Sequence, residues 1–506
     1  MLASLLTPAT TKLTTFEDIW QQLAPSLALP ETLPAPTTLS ATHQRTLEKP
    51  LLYSLERLLS PEYIKSSAAE LQLYCGGQSY SGFIRRQQAR TAPLAVLEPA
   101  NEQDLVALMR WAGRRDIHLL PWGNGTAPYQ GKSCTQEPFM VVKLKHINRI
   151  LKLDEKQLTL RVQAGATWAE VAAELAERGF STGTAFPRTH RTIGGTLATN
   201  ATNTKSLGYG TLAHNLPHIK AITPSGPIML TYPQSDIQDQ RSLVLGAHGR
   251  GGFITEVTLR IYPQPAKQGW LLANFTHREL ALKALQNIMQ SELQLTSIRL
   301  TDTTASELFR TNGNHRYLSI PRHLLHTPRA ASQLNIFLTG TNKSFDEKKY
   351  KLRELLDSTA SQVKDKNLIN QPPQGICSAH PQLCQQLWQH DVLAYTLFAP
   401  IPWSHLSGFL ADWEDALHSV LQSQSPQPGI LLTTVHAATD YALVETLLLA
   451  NQLESNLTTK VKDLMRIQSI AQTTRQRWGE VYVSTLGAQA LTAAGQVLDP
   501  DNIMLL

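Results

Sequence analysis

A glycine-rich turn that starts at residue 123 is the first feature of the sequence that suggests chemistry. The apolar run 117–120 predicts a buried strand, which Pro121 ends shortly before Gly123-Asn124-Gly125-Thr126. Two glycines around an asparagine allow positive φ and turn backbone N–H groups toward one point. Such a turn binds anions, phosphate above all, because glycine leaves room for close approach. Taken alone, however, the pattern is more often an ordinary surface turn.

Two further glycine segments follow along the chain and change that balance. The second, 192–196, continues into small, hydroxyl and amide side chains up to residue 203, and the run 206–210 comes next. The third, 246–252, runs directly into an apolar strand over 253–261. Segments so poor in bulky side chains are explained better by a bound ligand than by a packed core. We therefore predict that the three turns serve one ligand.

Short elements before and between these turns must position them. A strand over 94–97, a helix that begins at Asn101 and the strand over 117–120 predict a βαβ unit. A further strand is predicted over 139–144. The first glycine turn would then follow the second strand of this unit.

A hairpin and a capped helix are predicted next. The runs 150–153 and 158–162 flank a polar turn, which is typical of a hairpin. Thr167 and Glu170 have the spacing of a capping box, and Gly179 would end the helix that they open. Helices and short strands thus alternate in an α+β pattern.

Length and composition predict a globular protein of two or three domains. The chain has 506 residues, of which 42% are hydrophobic and 17% are charged. No apolar run has the length that spans a bilayer, and the first residues lack the basic region of a signal peptide, so we expect a cytoplasmic protein. The four scattered cysteines predict neither a disulfide framework nor a zinc site, and we expect no metal.

The net charge of +6 permits attraction to nucleic acid or to anionic membranes. The positive residues are dispersed, however, and the densest run, 348–353, follows two acidic residues and predicts a solvated helix face. No nucleic-acid-binding motif is present, so we expect no nucleic-acid partner. A weak peripheral association with membranes remains open.

Six short motifs and a closing Pro263 follow one another in a recognisable order: 121–126, 148–151, 162–165, 192–195, 206–210 and 252–258. Their succession resembles the flavin-binding domain of the vanillyl-alcohol-oxidase/p-cresol-methylhydroxylase (PCMH-type) superfamily. Neither the Rossmann fingerprint nor a phosphate loop ending in Gly-Lys-Ser/Thr is present, which disfavours an NAD fold or a nucleotide triphosphatase.

The resemblance implies an α+β fold: a two-subdomain PCMH-type FAD-binding domain followed by an α+β, ferredoxin-like substrate cap. The three turns would then converge on one FAD. Because the turn 123–127 contains neither histidine nor cysteine, the FAD is expected to bind non-covalently. The residues that match the family's FAD contacts are Gly123, Asn124, Gly125, Thr126, Ala127, Pro187, Thr192, Gly194, Gly195, Tyr209, Gly210, Gly252, Ile254 and Thr255.

Segments outside that domain look most like the alkylglycerone-phosphate synthase family. They are 77–80, 181–187, 296–302, 395–406 and 498–503, so that the resemblance covers residues 70–503, thinly after 265. The domains expected from it are an N-terminal irregular and helical region (1–90), the FAD-binding domain (91–265), the substrate cap (266–480) and a C-terminal helix that returns to the FAD domain (481–506). A small-molecule or lipid-like substrate is implied, and a homodimer is left open.

The chain departs from that family at its catalytic residues. The family exchanges an acyl for an alkyl chain on dihydroxyacetone phosphate, in ether-lipid synthesis, with an arginine, a tyrosine and a C-terminal run of histidines. Here the arginine position falls on Cys384, the tyrosine falls near Glu445, and no histidine follows His436. Arg299 is the one charged pocket residue whose segment matches the family, and it is the predicted catalytic residue. His436 is a weaker candidate, because a lone strand histidine is more often structural.

Changes are also expected at the cofactor site. His248 and Arg250 stand where acidic and hydroxyl residues are usual in the family, and Thr184 stands where a histidine is common. Arg250 could assist binding near the adenosine phosphates. We interpret His248 as an ordinary loop residue.

Three functions follow from these patterns. The first is an FAD-binding flavoprotein that resembles the synthases, with reduced or lost activity. The second is an FAD-dependent 2-hydroxy-acid oxidase or dehydrogenase of the glycolate/lactate type, although that branch also uses C-terminal histidines. The third is a non-catalytic flavoprotein partner subunit.

Overall fold

In the computed structural model, the described residues fall into two compact units, one ending at Gln264 and the other starting at Pro265. They are called the first unit and the second unit below. The structure describes residues 47–72, 74, 80–88, 92–126, 138–184, 190–201, 205–232, 239–302, 330–357, 360, 362–366, 386–424, 429–452 and 455–479.

The first unit begins with a small mixed sheet whose strand order is β1-β2-β4-β3. In it β2 and β3 both pair with β4 in parallel, whereas β1 pairs with β2 in antiparallel fashion. The strands are β1 (Ile64–Lys65), β2 (Val96–Leu97), β3 (His118–Pro121) and β4 (Phe139–Val142). The helices that precede or connect them are α1 (Lys49–Glu56), α2 (Ala68–Gln72), α3 (Tyr80–Gln88) and α4 (Glu102–Gly113).

The sequence pattern explains why α4 forms where it does. The side chain of Asn101 accepts a hydrogen bond from Asp104 N at 2.9 Å, which satisfies one of the free N–H groups of the first turn. Leu105, Leu108 and Trp111 then recur at helical spacing and are buried against β3 and β4. The predicted βαβ unit is present, with β2 shorter than the predicted strand over 94–97 and β3 displaced by one residue from the predicted strand over 117–120.

A five-stranded antiparallel sheet of order β5-β6-β10-β8-β9 forms the rest of the first unit's core. The predicted hairpin is present, since β5 and β6 pair directly, and the predicted capping box opens α5 with both reciprocal hydrogen bonds. The strands are β5 (Ile150–Asp154), β6 (Thr159–Gln163), β8 (His218–Thr223), β9 (Gly226–Thr231) and β10 (Phe253–Arg260), and α5 is Trp168–Glu177. A separate pair joins β7 (Phe180–Ser181) to β11 (Tyr262–Pro263).

Two segments that the sequence predicts as loops are short helices. Residues 192–196 open α6 (Ile193–Ala198), and residues 206–210 form α7 (Ser206–Tyr209) followed by Gly210 at φ +78°. Thr192 caps α6, because its Oγ1 accepts from Gly195 N at 3.2 Å. The cap outweighs the low helix propensity of the two adjacent glycines over so short a helix.

The second unit contains a seven-stranded antiparallel sheet of order β15-β12-β14-β13-β17-β18-β16. Its strands are β12 (Lys267–His277), β13 (Ser297–Asp302), β14 (Ala330–Gly340), β15 (Gln362–Lys366), β16 (Val392–Pro402), β17 (Gly429–Ala437) and β18 (Tyr441–Asn451). The helices are α8 (Arg278–Gln290), α9 (Asn342–Asp357), α10 (Leu406–Gln424) and α11 (Leu457–Arg477). The unit is α+β, as expected.

Apolar runs of the sequence predict four strands of this unit, over 271–275, 298–300, 334–338 and 430–435, and each run lies inside a longer strand. A helix predicted over 461–471 lies inside α11. The sequence does not predict the strands β15, β16 and β18. The segments β16 and β18 are almost continuously apolar, and such runs do not separate strand from buried helix by periodicity. The sequence also predicts helices over 16–23 and 488–497, which lie outside the described residues.

Within the described ranges, no helix combines the length and apolarity that crossing a bilayer requires. Over the same residues, no three His, Cys, Asp or Glu side chains come together as metal ligands would.

Candidate functional site

A cavity of about 490 Å³ lies in the first unit. Its wall is formed by the residues that follow β3, the residues that follow β4, the start of α6 and the start of β10. Because β3 and β4 are parallel neighbours, their carboxyl ends lie at the same edge of the sheet. The segments that follow the two strands start at that edge, and both line the cavity.

The first two glycine segments touch in the wall of this cavity. A Cβ placed on Gly123 would lie 2.6 Å from Thr192 Oγ1 and 3.5 Å from Gly195 Cα. A Cβ placed on Gly195 would in turn lie 2.9 Å from Thr192 Oγ1. Contacts near 2.6 Å are shorter than carbon–oxygen packing allows, so both positions require glycine for this close approach.

The third glycine segment is tied to the far end of α6 by backbone hydrogen bonds. Gly246 N donates to Leu197 O at 3.0 Å, and His248 N donates to Ala198 O at 2.7 Å. Gly252 has φ +113°, and a Cβ there would lie 2.5 Å from Ile222 O. The three glycine segments therefore meet in one place, around one cavity.

Nine predicted FAD contacts line the cavity: Gly123, Asn124, Gly125, Thr126, Thr192, Gly194, Gly195, Gly252 and Ile254. Three others lie elsewhere among the described residues. Tyr209 packs edge-on against Tyr262 with ring centres 4.8 Å apart, and Gly210 follows it, while Thr255 is fully buried behind the wall. Ala127 and Pro187 lie outside the described residues. The contact roles of all fourteen remain predictions.

Thr255 takes part in a hydrogen-bonded contact that links the two sheets of the first unit. Its Oγ1 donates to Glu102 Oε1 at 2.7 Å, and Lys220 Nζ donates to Glu102 Oε2 at 2.6 Å. Glu102 starts α4, which packs on the small sheet, whereas Lys220 and Thr255 lie on the five-stranded sheet. One carboxylate thus holds together the two sheets whose edges form the cavity.

Basic and amide side chains that the sequence analysis did not single out also line the cavity: Lys143, Lys145, Asn148 and Arg191. Lys143 Nζ lies 3.4 Å from Tyr74 OH, and Lys145 Nζ lies 3.7 Å from Glu98. The sequence contains a signal for the two lysines, because Lys143 and Lys145 lie within three residues of the end of β4. This strand is parallel to β3, which precedes Gly123. The acidic Glu170 is occupied by Thr167, whose N and Oγ1 both donate to it.

His248 also lines the cavity, in the left-handed region at φ +54°. It takes part in the third segment through its backbone bond to α6, as described above. Arg250, expected near the adenosine phosphates, is exposed and does not belong to the described lining. Thr184 hydrogen-bonds to Thr182 with 2.7 Å between the hydroxyl oxygens.

These residues fit a dinucleotide such as FAD. The diphosphate of FAD needs close backbone approach, and Gly123, Gly195 and Gly252 offer backbone without a Cβ in the lining of the cavity. It also needs positive charge, which Lys143 and Lys145 supply at the rim. The flanking apolar wall, which includes Leu120, Val142 and Phe253, suits the aromatic ends of the molecule.

The predicted catalytic residue, Arg299, lies in the second unit on β13 and is only 3% exposed. Its guanidinium carbon lies 5.2 Å from the centre of the Trp270 ring. Burial lowers the pKa of Arg299 to about 10 and the attraction of Glu445 opposes that shift, so the guanidinium stays protonated at neutral pH.

His436 and Glu445 lie beside Arg299 on the same face of the sheet. Arg299 stands opposite His436 in the β13–β17 register, and Thr434 stands opposite Glu445 in the β17–β18 register. His436 Nε2 and Glu445 Oε2 are 2.9 Å apart, and both side chains are largely buried. In the sequence the family's tyrosine position falls near Glu445, and the pairing of Glu445 with His436 is visible only in the structure. Cys384, at the family's arginine position, lies outside the described residues.

Comparison with known proteins agrees with this geometry. A family model described as "FAD binding domain" matches residues 93–231. The chain is 26% identical to the alkyldihydroxyacetonephosphate synthase of Dictyostelium discoideum over 266 residues, which cover 50% of this chain and 43% of that protein. It is 25% identical to glycolate oxidase subunit GlcD of Bacillus subtilis over 220 residues, or 42% of this chain and 47% of that protein. The chain thus spans less than half the length of these relatives.

Solved structures show the same fold. A structure of alkyldihydroxyacetonephosphate synthase superposes with a TM-score of 0.75 at 17% identity, covering 95% of this chain and 90% of that chain. Substrate-bound p-cresol methylhydroxylase superposes with a TM-score of 0.66 at 14% identity, covering 90% and 95%. Residues 93–231 therefore match an FAD-binding domain, and the chain shares its fold with alkyldihydroxyacetonephosphate synthase and p-cresol methylhydroxylase.

Proposed function

We propose that this chain is a flavoprotein related to the alkylglycerone-phosphate synthases in which the exchange of acyl for alkyl on dihydroxyacetone phosphate is strongly reduced or lost. Bound FAD supplies an electrophilic and redox-active ring system. The residues 123–126 offer neither histidine nor cysteine to it, which supports non-covalent binding. The chain's own side chains have to bind the substrate and move its protons.

The pairing of His436 with Glu445 is the observation that carries this proposal. The synthase family has a tyrosine near this position, and a phenol donates a hydrogen bond to a phosphate oxygen. A carboxylate cannot donate when ionised, and it repels a phosphate. Glu445 also attracts Arg299, so the positive charge of that arginine is already compensated.

The segment 468–482 supports the same conclusion. The synthase family moves protons with a run of histidines at the matching place, whereas this segment contains no histidine. Loss of a positioned acid–base group slows catalysis by about 10²–10⁴-fold. We therefore expect alkyl exchange to be slower by about that factor than in a complete synthase.

A direct assay tests the proposal. Purified protein loaded with FAD would be given acyl-dihydroxyacetone phosphate and a long-chain alcohol, beside the Dictyostelium synthase at equal flavin concentration. The expected result is alkyl product at the background level or about 10²-fold or more below the control. Product formed at a rate similar to the control contradicts the proposal.

The relatives favour one further candidate, an FAD-dependent oxidase or dehydrogenase of 2-hydroxy acids. Besides the glycolate oxidase subunit, D-2-hydroxyglutarate dehydrogenase of Xanthomonas citri pv. viticola is 28% identical over 246 residues, 48% of this chain and 49% of that protein. Glycolate, D-lactate and D-2-hydroxyglutarate would each be mixed with the flavoprotein without oxygen. Rapid bleaching of the flavin favours the oxidase, whereas no reaction in either assay favours a non-catalytic flavoprotein subunit.

A further inference from the structure

Glu102 is the first residue of α4, but the helix does not use its side chain as a cap. The cap is Asn101, whose side chain accepts from Asp104 N at 2.9 Å. The two carboxylate oxygens of Glu102 accept instead from the five-stranded sheet, from Thr255 Oγ1 at 2.7 Å and from Lys220 Nζ at 2.6 Å. We call these three side chains the Glu102 link.

Apolar side chains pack beside the Glu102 link. Ile222 on β8 and Phe253 on β10 are buried in one cluster with Leu105 and Leu108 of α4. Apolar contact stabilises in proportion to the area that it buries, and it does not depend on direction. A hydrogen bond, in contrast, requires a short donor–acceptor distance and a nearly straight angle at the hydrogen. The Glu102 link thus adds a directional constraint to the apolar packing of α4 on the five-stranded sheet.

Thr255 lies where the regular pairing of β8 and β10 is interrupted. Its two neighbours in β10 pair with consecutive residues of β8, Ala221 and Lys220, so that no residue of β8 stands opposite Thr255. Such irregularities change the direction in which a side chain points. The Thr255 side chain is completely buried, and its hydroxyl is one of the two donors of the link.

Backbone hydrogen bonds connect Thr255 with the wall of the cavity. Thr255 O accepts from Ala164 N at 2.9 Å, and Ala164 O accepts from Gly194 N at 2.8 Å. Ala164 and Gly194 both line the cavity, and so does Ile254, which directly precedes Thr255. A displacement of Thr255 would therefore move the start of β10 and the start of α6 together.

The first glycine turn lies on the other side of the Glu102 link. Gly123 follows β3, and α4 packs on β3 and β4 through Leu105, Leu108 and Trp111. The position of this turn relative to the start of β10 therefore depends on how α4 is held against the five-stranded sheet. The link holds α4 at that place.

We propose that Glu102 is a positioning residue for FAD, because its carboxylate keeps the two sheets of the first unit at the separation at which both walls of the cavity contact one cofactor molecule. Glu102 acts from outside the described lining of the cavity. The inference rests on the FAD binding of the proposed function, and it adds a residue outside the glycine segments on which FAD affinity depends.

Truncation of two paired carboxylates tests this role. Glu102→Ala removes both acceptors of the link, and Glu256→Ala is the matched control, since Glu256 pairs with Arg161 at 2.9 Å within the five-stranded sheet. The full-length protein would be stripped of flavin and titrated with FAD, with binding followed by flavin fluorescence. Glu102→Ala should weaken FAD binding about tenfold, whereas Glu256→Ala should stay within about twofold of the wild type. Equal affinities in the two variants overturn the proposal.

A conservative variant separates position from charge. In Glu102→Gln the new amide can accept from Lys220 through its oxygen and donate to the Thr255 hydroxyl through its nitrogen. The link then keeps its geometry and loses its negative charge. Glu102→Gln should therefore bind FAD within about threefold of the wild type. An affinity as low as that of Glu102→Ala would assign the effect to charge and overturn the positioning role.

Thr255→Val removes one donor of the link, and Thr223→Val is its control. Thr223 Oγ1 donates to Gly226 O at 2.9 Å between β8 and β9, and its side chain is likewise buried. Thr255→Val should weaken FAD binding about tenfold, and Thr223→Val should leave it unchanged. The double variant Glu102→Ala/Thr255→Val should bind FAD no more weakly than Glu102→Ala, because both changes break one contact. Losses that add would show that Thr255 acts on FAD without Glu102, which overturns the proposal.

Urea unfolding of each flavin-free variant identifies a purely structural role. Such a role lowers the urea midpoint and leaves the FAD affinity of the folded protein unchanged, a result in Glu102→Ala that would contradict the inference. The wild-type titration separates this inference from the proposed function. A wild-type protein that binds no FAD contradicts the proposed function, whereas equal binding by the wild type and Glu102→Ala contradicts this inference alone.

Discussion

The two units build their polar sites from different parts of the chain. The cavity of the first unit is shaped by backbone, at glycines where a side chain would collide with its neighbours. In the second unit, a polar row (Asn335, Arg299, His436 and Glu445) is built from side chains that the register of four strands places together. The first site depends on positions that have no side chain, whereas the polar row depends on specific side chains.

Because of this difference, the same kind of substitution should have different effects in the two units. In the first unit, adding a single methyl group should disturb the cavity, whereas most changes of chemistry at the rim should be tolerated. In the second unit, changes of charge should matter most. Flavin binding and the stability of the second unit should therefore respond to different variants.

The largest effect is expected at Gly252, for which Gly226 is the matched control. Both residues have φ beyond +100°, but a Cβ on Gly252 would lie 2.5 Å from Ile222 O, whereas nothing lies within 4 Å of one on Gly226. Gly226→Ala should cost about 1–2 kcal/mol of backbone strain and retain FAD. Gly252→Ala should cost about 4 kcal/mol and lose FAD, since the steric collision adds to the strain. Urea unfolding measures the stability of each variant and flavin absorbance its FAD content. Equal losses of stability and FAD in the two variants would contradict the role of the close backbone contact at Gly252.

Arg299→Met should have the next largest effect, confined to the second unit. It leaves Glu445 buried without its counter-charge, which costs about 3 kcal/mol. The double variant Arg299→Met/Glu445→Gln should recover part of that loss, because the remaining charge is gone as well. FAD content should stay at the wild-type level in both. Loss of flavin from either variant would show that the two sites do not act separately.

Gly123→Ala offers a finer test, because a second substitution can reverse it. The new Cβ would lie 2.6 Å from Thr192 Oγ1 and displace the hydroxyl that caps α6. Loss of such a cap costs about 1 kcal/mol, and we expect FAD affinity to fall by about tenfold. Gly123→Ala/Thr192→Gly removes the obstructing side chain and should restore part of the affinity. A fluorescence titration with FAD measures both variants, and an unchanged affinity in Gly123→Ala argues against close approach at this turn.

The smallest effect concerns acid stability in the first unit. Burial alone would raise the pKa of Asp239, but hydrogen bonds and charge from the buried Arg241 outweigh it and hold the pKa below its usual value. The stability that this pair contributes is present above the unfolded pKa of about 3.9 and is lost as the pH falls through the lower folded pKa. Asp239→Asn should therefore show a weaker decline in urea midpoint below about pH 4 than the wild type. If the urea midpoint declines identically at acid pH in both proteins, other carboxyl groups cause the decline.

The features that the sequence could predict lie mainly in the first unit. The glycine segments were recognisable because glycine at a close approach is a local signal, and so were the cap at Asn101 and the capping box at Thr167. The helical state of residues 193–198 was not predicted, because two adjacent glycines disfavour a helix unless a cap and packing support it.

The polar row of the second unit could not have been assembled from the sequence. Asn335, Arg299 and His436 are far apart in the chain and meet only through strand register, which depends on pairings that a single sequence does not specify. The contact of Glu102 with Lys220 and Thr255 could not be predicted for the same reason. Thr255 matches a family FAD contact in the sequence, and in the structure its hydroxyl donates to Glu102 Oε1.

Flavin content after purification tests the central claim most directly. The full-length protein, expressed with sufficient riboflavin and purified without added cofactor, would be denatured and its released flavin identified by chromatography. We expect FAD in stoichiometric amount, all of it in the supernatant as the proposed non-covalent binding requires, and its loss in Gly252→Ala but not in Gly226→Ala. A colourless wild-type protein that does not take up added FAD would contradict the account.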